Sequence, residues 1–533
     1  MEIIYDGDFK ININGEEKLF SEVYPKENIK RKATKIIIKD GVTKIPRSCF
    51  KDFAKVEEIT MPDSVISLDE LAFANCTNLK KIHLSNNIEK IRAYTFDGCD
   101  KLETINFPDK LTKIETRAFN DCFKLEKVLL PDNVKSLGPH VFSECRNLFE
   151  VHLSPKIKKI PESAFYNCHS LAKINLENIE DIDFMGFANC KKLLEINLSE
   201  NLTKINRNAF QNCYSLEKVN LPKNLEEIYE EAFYNCASLK KIHLNNKLQS
   251  IKERAFTNCT ALTEIKIPDS VTEIGDEVFR YCKSLKEVKL SKNITKLSTH
   301  LFDECTSIEE IDLPDNLEEI SESAFGSCKG LVKISIPEKT TKIDDKAFIN
   351  CQNLISVVLP ENITRLKYGV FMGCINLHNI NLSDEIKDMD YSTFKGCNNL
   401  SEEALKKIFL YFVKKTTINN IPQTMFNFHV DKNNSELMQE MLSINPVFLN
   451  CANYWDKEIF LEAAIDSIEN ITKNKNEYII ETELCNIKYI DNNEMFVICN
   501  NNKLEYILIE DNNIKKKIEN IIKEYEKEKE FER

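Results

Sequence analysis

The sequence predicts an α/β-type solenoid of about sixteen 23-residue coils, strand-rich with short helical turns, followed by a small C-terminal α+β domain. Three observations predict this fold. A phenylalanine returns with a fixed period, a short alternation of apolar and polar residues stands at a fixed distance from it, and turn residues separate the two. Fixed periods of 20 to 50 residues are typical of stacked repeats, whose neighbouring coils share one core.

The phenylalanine ladder is the strongest of these observations. Every interval equals the coil length except the one from Phe165 to Phe187, which is shorter by a single position. The missing residue shortens the turn after one strand, because Ile179 follows Leu176 by three positions instead of four. We expect a local change of curvature there, which is either a bend shaped for a partner or neutral turn variation. The rungs are Phe50, Phe73, Phe96, Phe119, Phe142, Phe165, Phe187, Phe210, Phe233, Phe256, Phe279, Phe302, Phe325, Phe348, Phe371 and Phe394.

The unit from Cys259 to Phe279 illustrates how one coil is built. Residues 264–267 alternate polar and apolar, the period-two pattern of a strand with one buried face. Pro268 ends this strand in a turn, and Val271 to Ile274 can form a second short extended piece. The stretch before each phenylalanine is predicted to be a single helical turn or irregular, because so short a unit leaves no room for a longer helix beside two strands and two turns.

The repeated pattern L-x-x-I-x-L, with A-F-x-x-C after it, resembles the BspA-like class of leucine-rich repeat proteins. Residues 34 to about 405 carry it in register. The resemblance implies a curved solenoid that binds other macromolecules, and several members of that class act as microbial surface adhesins. The chain departs from the adhesins because its first residues do not read as an export signal.

Segments outside the repeats are expected to cap the array, since a terminal coil otherwise exposes its core. Residues Asn399 to Lys415 read as an amphipathic helix, with apolar Leu405, Ile408, Phe409 and Phe412 at helical spacing. The predicted boundaries are an N-terminal cap over 1–33, the leucine-rich repeat solenoid over 34–400, a capping helix and linker over 401–434, and an α+β domain of unknown family over 435–533.

The C-terminal domain is predicted from short patterns only. Lys457 to Lys473 reads as an amphipathic helix, and Ile514 to Phe531 as a charged helix that packs on its own sheet or docks a partner helix. Strands are predicted over 477–484, 495–499 and 504–510, with Asn500 to Asn502 as the hairpin turn between the last two.

Fifteen of the nineteen cysteines occupy one repeat position, three residues after the phenylalanine, from Cys76 to Cys397. The first repeat has Phe53 in this position, which indicates a buried apolar site and therefore a ladder of reduced thiols. Disulfides between neighbouring coils are the alternative, and the odd number of cysteines argues against them. Zinc is disfavoured because single thiols spaced a whole coil apart do not supply four converging ligands. We expect no metal and no cofactor.

Composition and motifs exclude several other functions. A net charge of −13 argues against nucleic-acid binding, and no apolar run is long enough to span a membrane. No nucleotide-binding, hydrolase or metalloprotease motif is present, and His83 and His152 lie three coils apart, so we predict no catalytic residues. The expected location is the cytoplasm, with leaderless export to the cell surface as the alternative.

The candidate binding surface is the outward column of the repeated strands, where asparagine and histidine cluster. These hydrogen-bonding groups suit a protein or a carbohydrate partner, although a plain solvated face would look the same. The column residues proposed to contact a partner are His83, Asn106, His152, Asn175, Asn197, Asn220 and His243.

Two apolar interruptions mark the flank of this face. Phe149 and Leu194 replace charged residues, with Ala172 between them, and Val332, Ile355 and Val358 do the same near the C-terminal end. Exposed apolar patches often mark contact sites, although the chain's own tail could cover the second one. The sequence therefore predicts a non-enzymatic binding protein. The alternatives are a sensor whose C-terminal unit acts as effector, and a leaderless surface adhesin; the oligomeric state stays open.

Overall fold

The computed structural model describes residues 2–7, 10–13, 16–19, 30–415, 468–474, 477–482, 486–490, 494–498 and 512–531. These residues fall into two compact units, Met1–Lys329 and Gly330–Arg533. Both units contain parallel β coils of about 23 residues, about fifteen in all, so the predicted strand-rich solenoid is confirmed.

The first strand of each coil forms the strand face. Its residues alternate exposed, buried and exposed, as in Glu58–Thr60, and neighbouring coils pair in parallel, as Ile265 does with Val288. The predicted period-two alternation is confirmed. In the first unit these strands are Lys35–Ile38, Glu58–Thr60, Lys81–His83, Thr104–Asn106, Lys127–Leu129, Glu150–His152, Lys173–Ile174, Glu195–Asn197, Lys218–Asn220, Lys241–Ile242, Glu264–Lys266 and Glu287–Lys289; in the second they are Lys333–Ser335, Ser356–Val358 and Asn379–Ile380.

A second, two-residue strand in each coil forms a second parallel ladder, in which Ile228 pairs with Ile251. In the unit taken as the example, the predicted second extended piece is the strand Glu273–Ile274. The other strands of this set in the first unit are Lys44–Ile45, Ser67–Leu68, Lys90–Ile91, Lys113–Ile114, Ser136–Leu137, Lys159–Ile160, Asp181–Ile182, Lys204–Ile205, Glu227–Ile228, Ser250–Ile251, Lys296–Leu297 and Glu319–Ile320; the second unit has Lys342–Ile343, Arg365–Leu366 and Asp388–Met389.

The segment around each phenylalanine is a repeated turn, not a helical one. Residues two before and two after the ring are left-handed, as at Asn208 (φ 56°) and Asn212 (φ 59°). This alternation points three N–H groups at the next coil: Asn208 N donates to Glu230 O at 3.0 Å, Phe210 N to Ala232 O at 2.9 Å and Asn212 N to Tyr234 O at 2.8 Å. A third backbone ladder therefore joins neighbouring coils.

The core contains a continuous stack of rings within each unit. Fifteen of the sixteen rungs are fully buried, and Phe394 is 3% exposed. Neighbouring rings lie nearly parallel, with centroids from 5.3 Å (Phe187 and Phe210) to 5.8 Å (Phe256 and Phe279) apart. Within each unit the repeat cysteines donate their thiols to the carbonyl of the preceding coil's phenylalanine, as Cys236 Sγ does to Phe210 O at 3.3 Å. The predicted burial of the aromatic ladder is confirmed.

The N-terminal strands extend the strand face. Glu2–Tyr5 pairs in parallel with Lys35–Ile38 and antiparallel with Lys10–Ile13, which in turn pairs with Glu16–Leu19. The Tyr5 ring is fully buried and meets the first rung, Phe50, edge-on at 5.4 Å. Backbone and aromatic contacts thus attach the first residues to the first coil.

The helix Glu402–Lys415, here α1, follows the last coil. Ser401 Oγ accepts a hydrogen bond from Ala404 N at 3.3 Å and caps the start of the helix. Ile408 is buried, and Tyr411 Oη accepts from Met389 N at 2.8 Å and donates to Lys387 O at 3.3 Å. The helix therefore supplies partners to backbone groups of the last coil. The side chains of Phe409 and Phe412 lie outside the described residues.

The C-terminal region contains an antiparallel meander and a second helix, α2. Ile518 and Ile522 of α2 are buried, four residues apart on one helix face. The strands of the meander, in sheet order, are Ile468–Asn474, Glu477–Thr482, Asn486–Ile490 and Glu494–Ile498, and α2 spans Asn512–Phe531.

One secondary-structure prediction is wrong here. The helix predicted over Lys457 to Lys473 does not form over residues 468–473, which belong to the strand Ile468–Asn474. Its β-branched residues favour a strand, and the two-residue connection to Glu477–Thr482 pairs Asn474 with Glu477. The strand Asn486–Ile490 was not predicted. Residues 457–467, the predicted strand 504–510 and the turn at Asn500 to Asn502 lie outside the described residues.

Candidate recognition surface

The column that begins each strand of the strand face alternates lysine and glutamate over the coils from Lys127 to Lys218. In-register residues of stacked coils lie about 4.8 Å apart, so opposite charges meet. Lys127 Nζ lies 2.8 Å from Glu150 Oε2, and Lys218 Nζ lies 2.6 Å from Glu195 Oε1. The hydrogen bonds from these lysines hold the pKa of Glu150 and of Glu195 below the ordinary value. Each exposed pair contributes little to the free energy of folding, but the pairs place opposite charges side by side in neighbouring coils.

The predicted asparagine and histidine column lies on this face. His83, Asn106, His152, Asn197, Asn220 and His243 are exposed, and Asn175 is half-buried. Asn106 lies in register with His83, and Asn220 with Asn197. His152, Asn175, Asn197, Asn220 and His243 occupy the same position of five successive coils. The column is therefore a line of polar groups along the array, not a single pocket.

Some of the asparagines bind the array itself. Asn175 Oδ1 accepts from Leu153 N at 2.7 Å, and Asn175 Nδ2 donates to Leu153 O at 3.2 Å. In the shortened coil the strand covers only Lys173–Ile174, so the side-chain amide of Asn175, and not its backbone, makes these hydrogen bonds to the neighbouring coil. Asn220 Nδ2 donates to Asn197 Oδ1, which joins the side-chain amides of two neighbouring coils. These three amides serve coil stacking as well as the surface.

An apolar patch, formed by Phe149, Ala172 and Leu194 in three successive coils, interrupts a charged column at the flank of the strand face, and the apolar Leu129 interrupts the outward asparagine and histidine column. Leu129 is 61% exposed and Leu194 is 54% exposed. Phe149 is half-buried, with Lys127 Nζ 5.0 Å from its ring centroid. Backbone hydrogen bonds place Phe149 and Ala172 in adjacent coils, since Ala172 N donates to Phe149 O at 3.0 Å. Leu129 was not predicted as a contact residue, although an apolar residue in an outward column was a usable signal.

The second apolar interruption lies in the second unit. Val332, Ile355 and Val358 are 38%, 45% and 48% exposed. Ile355 N donates to Val332 O at 2.8 Å, and Ser335 pairs with Val358, so the three side chains stand on adjacent coils of one face.

The described residues offer no evident chemistry. All sixteen cysteines among them are free and buried. Burial raises the pKa of the Cys213 and Cys282 thiols to about 12, which makes them poor nucleophiles. No group of three or more histidine, cysteine or acidic side chains within the described ranges is placed to hold a metal ion. None of the helices in these ranges is long and apolar enough to cross a membrane.

Stacked parallel coils that bury one side of each strand and expose the other define a repeat solenoid with an extended surface. A family model described as the BspA type leucine rich repeat region matches residues 27–148, 112–240, 203–332, 272–401 and 324–451, more than half of the chain. The chain therefore belongs to the BspA-type leucine-rich repeat family, and the resemblance drawn from the sequence is confirmed.

The chain is also similar to solved structures, among them a leucine-rich repeat protein from Bacteroides ovatus (22% identity, 74% of this chain and 85% of that one, TM-score 0.46). A leucine rich cell surface protein from Faecalibacterium prausnitzii is 21% identical, over 71% of this chain and 87% of that one, with a TM-score of 0.37. The T. pallidum leucine-rich repeat protein is 27% identical over 35% of this chain and 82% of its own, with a TM-score of 0.31. Comparison with curated protein sequences finds no match.

Proposed function

We propose that this protein is a non-enzymatic binding protein whose strand face recognises a protein partner, with a carbohydrate partner as the alternative. The apolar patch is the observation that carries the proposal. Leu129 and Leu194 are more than half exposed on a face whose other columns are charged or polar. Coil stacking does not require them there, because in most other coils charged residues occupy the position of Leu194, and polar or charged residues occupy that of Leu129.

The surroundings of the patch support a protein partner. His152 lies in register with Leu129, and Asn197 follows Leu194 in the chain, so polar groups border the apolar centre. Protein interfaces have this arrangement of an apolar centre and a polar rim. Full burial of one leucine side chain contributes roughly 1.5–3 kcal/mol, enough for the patch to dominate binding.

The test compares partner capture by the full-length chain and by patch variants. Leu194→Asp and Phe149→Asp should lose the captured partners, because a carboxylate in an apolar interface is costly to desolvate. Ile66→Asp is the matched control, since Ile66 is 58% exposed but lies outside the strand face. Retention of the same partners by all three variants would remove the patch from the binding site, and selective binding to immobilised glycans would favour the carbohydrate alternative.

A second function, in which the C-terminal region acts as effector once the repeats bind, is favoured by its separate antiparallel sheet. Ending the chain after about residue 430 separates the two functions, because only the effector function requires the part removed. If the shortened protein keeps both partner binding and the full biological effect, the effector function is excluded.

We also propose that the protein works in a reducing compartment, the cytoplasm. The support is the set of sixteen free, buried thiols, since unpaired cysteines in such number are typical of reducing environments. All 19 cysteines of the chain should react with a thiol reagent in denaturant without added reductant. Quantitative pairing would place the protein in an oxidising compartment and favour the surface adhesin.

A further inference from the structure

A charged groove lies on the strand face of the first unit, three coils beyond Leu194. Its volume is about 450 Å³, which is in the range of ligand-binding clefts. The strands Glu264–Lys266 and Glu287–Lys289 line it, and the next coil adds Glu310 and Asp312. Three successive coils therefore contribute charged side chains to one concavity.

Like charges stand in register within this groove. Glu264 is directly opposite Glu287, and the same column continues at Glu310. Lys266 is directly opposite Lys289, and this second column ends at Asp312, which lies in register with Lys289. From Lys127 to Lys218 the column of Glu264 alternates in sign, as at Lys127 and Glu150, and one other like-charge pair, Lys218 and Lys241, lies next to the groove. Like charges directly opposite each other destabilise a sheet, so the groove departs from the alternating pattern of the coils from Lys127 to Lys218.

The charges of the groove are also poorly compensated. Lys241 Nζ lies 3.1 Å from Glu264 Oε1, at the edge of the groove. Across the described ranges, however, Glu287, Lys266 and Lys289 form no close ion pair and no side-chain hydrogen bond, and all three are exposed. Local arrangements that oppose stability are most often found where a protein binds something.

We propose that the groove binds an extended peptide segment of a partner protein in which basic and acidic residues alternate. Successive side chains of an extended chain point to opposite sides. A segment lying along the array would therefore direct its basic side chains to the glutamate column and its acidic ones to the lysine column. The outer coils lie about 10 Å apart, which accommodates about three residues of extended chain.

A second copy of this chain is a poorer occupant. Its glutamate column would match the lysine column, but two identical concave faces cannot fill one another. The inference rests on the proposed function, since it identifies a second contact region for a protein partner on the same strand face. It does not depend on the apolar patch, which lies in other coils.

The test uses the full-length protein and a fluorescein-labelled peptide with four Lys-Glu repeats, followed by fluorescence anisotropy at low and high salt. The alternating peptide should bind about tenfold more tightly than a block peptide of the same composition, four lysines followed by four glutamates, and binding should weaken with salt. Equal affinity of the two peptides, or binding of neither at millimolar concentration, overturns the proposal.

Glu287→Lys should weaken binding of the alternating peptide by about tenfold or more. The same substitution restores sign alternation with Glu264 and Glu310, so the Tm should not fall, and unfolding cannot account for the loss. Glu226→Lys is the matched control, because Glu226 is exposed outside the groove. An equal loss in the control, or dimers by light scattering that Glu287→Lys disrupts, also overturns the proposal.

The patch variant Leu194→Asp distinguishes this inference from the proposed function. If it loses the captured partners but still binds the alternating peptide, the two regions act separately and both stand. If it keeps the captured partners while Glu287→Lys has no effect on the peptide, both fail for independent reasons.

Discussion

Replacing Phe210 by alanine in the middle of the first unit tests the stacked core most directly. Its ring is fully buried and stacks on Phe187 at 5.3 Å and on Phe233 at 5.5 Å. Truncation removes both ring contacts and leaves a cavity that the three backbone ladders prevent from collapsing. Phenylalanine-to-alanine changes in such cores cost about 3–5 kcal/mol, and we expect a value in the upper half of that range.

Urea unfolding measures the total loss, and hydrogen exchange with mass spectrometry locates it. Because each coil contacts only its neighbours, protection should fall most in the coils of Phe187, Phe210 and Phe233. Phe123→Ala is the control: its ring is half-buried beneath Arg146, whose Cζ lies 4.9 Å away, and its loss should cost less than about 1 kcal/mol. Equal losses for Phe210→Ala and Phe123→Ala would refute the shared aromatic core.

Two further predictions concern the thiols and the C-terminal end of the coils. The stability that the buried thiols contribute should be fully present below pH 8 and be lost as pH rises from about 9 towards 12, because an unfolded thiol ionises near 8.5 whereas burial raises the pKa of Cys213 and Cys282 to about 12. Urea titrations at pH 8 and 10 measure this loss in the free energy of unfolding. Cys282→Val should make the loss smaller, and an unchanged loss would contradict the prediction. Tyr411→Phe tests the proposed capping role of α1, and it should cost about 1–2 kcal/mol because Met389 N and Lys387 O lose their partner. Hydrogen exchange at Met389 should then accelerate, whereas unchanged exchange would mean that the tyrosine hydroxyl does not support the last coil.

The features that the sequence predicts well are those that recur in every coil. A strand such as Glu264–Lys266 has only three residues, too few for any pattern to be decisive alone. Its buried Ile265 has counterparts at the same position of both neighbouring coils, and that repetition identifies the strand. The same logic identifies the phenylalanine and cysteine positions, because each contacts its own equivalent in the neighbouring coil.

The left-handed turns were not predicted, because coil stacking overrides local preference there. Arg254 and Glu277 adopt positive φ although neither residue favours it. A usable signal exists two residues after the phenylalanine, where asparagine is frequent. Asn212 Nδ2 donates to Asn189 Oδ1 at 2.9 Å, and Asn235 Nδ2 donates to Asn212 Oδ1 at 2.7 Å, an amide ladder that compensates the strained backbone.

Segments outside the repeats were predicted less well, because no equivalent position in a neighbouring coil supports the assignment. Residues 468–473 satisfy a helical spacing of apolar residues, yet they pair with Glu477–Thr482 as a strand. A segment this short shows its apolar spacing only once, so the spacing does not decide between helix and strand. The pairing strand that decides between them lies outside the segment. In the candidate site, likewise, the bonds of Asn175 to Leu153 depend on a residue in the preceding coil.

The regularity of the array makes its irregularities informative. Each outward residue of the strand face has its equivalents in adjacent coils as nearest neighbours, so alternating charges are the arrangement that stacking alone favours. Leu194 and Glu287 both depart from it, the first by removing charge and the second by repeating it. Neither departure improves the stack: an exposed leucine gains nothing from water, and a repeated glutamate is repelled by its neighbour. Both become favourable once a partner covers them, and each calls for different chemistry, an apolar surface for the first and a positive charge for the second.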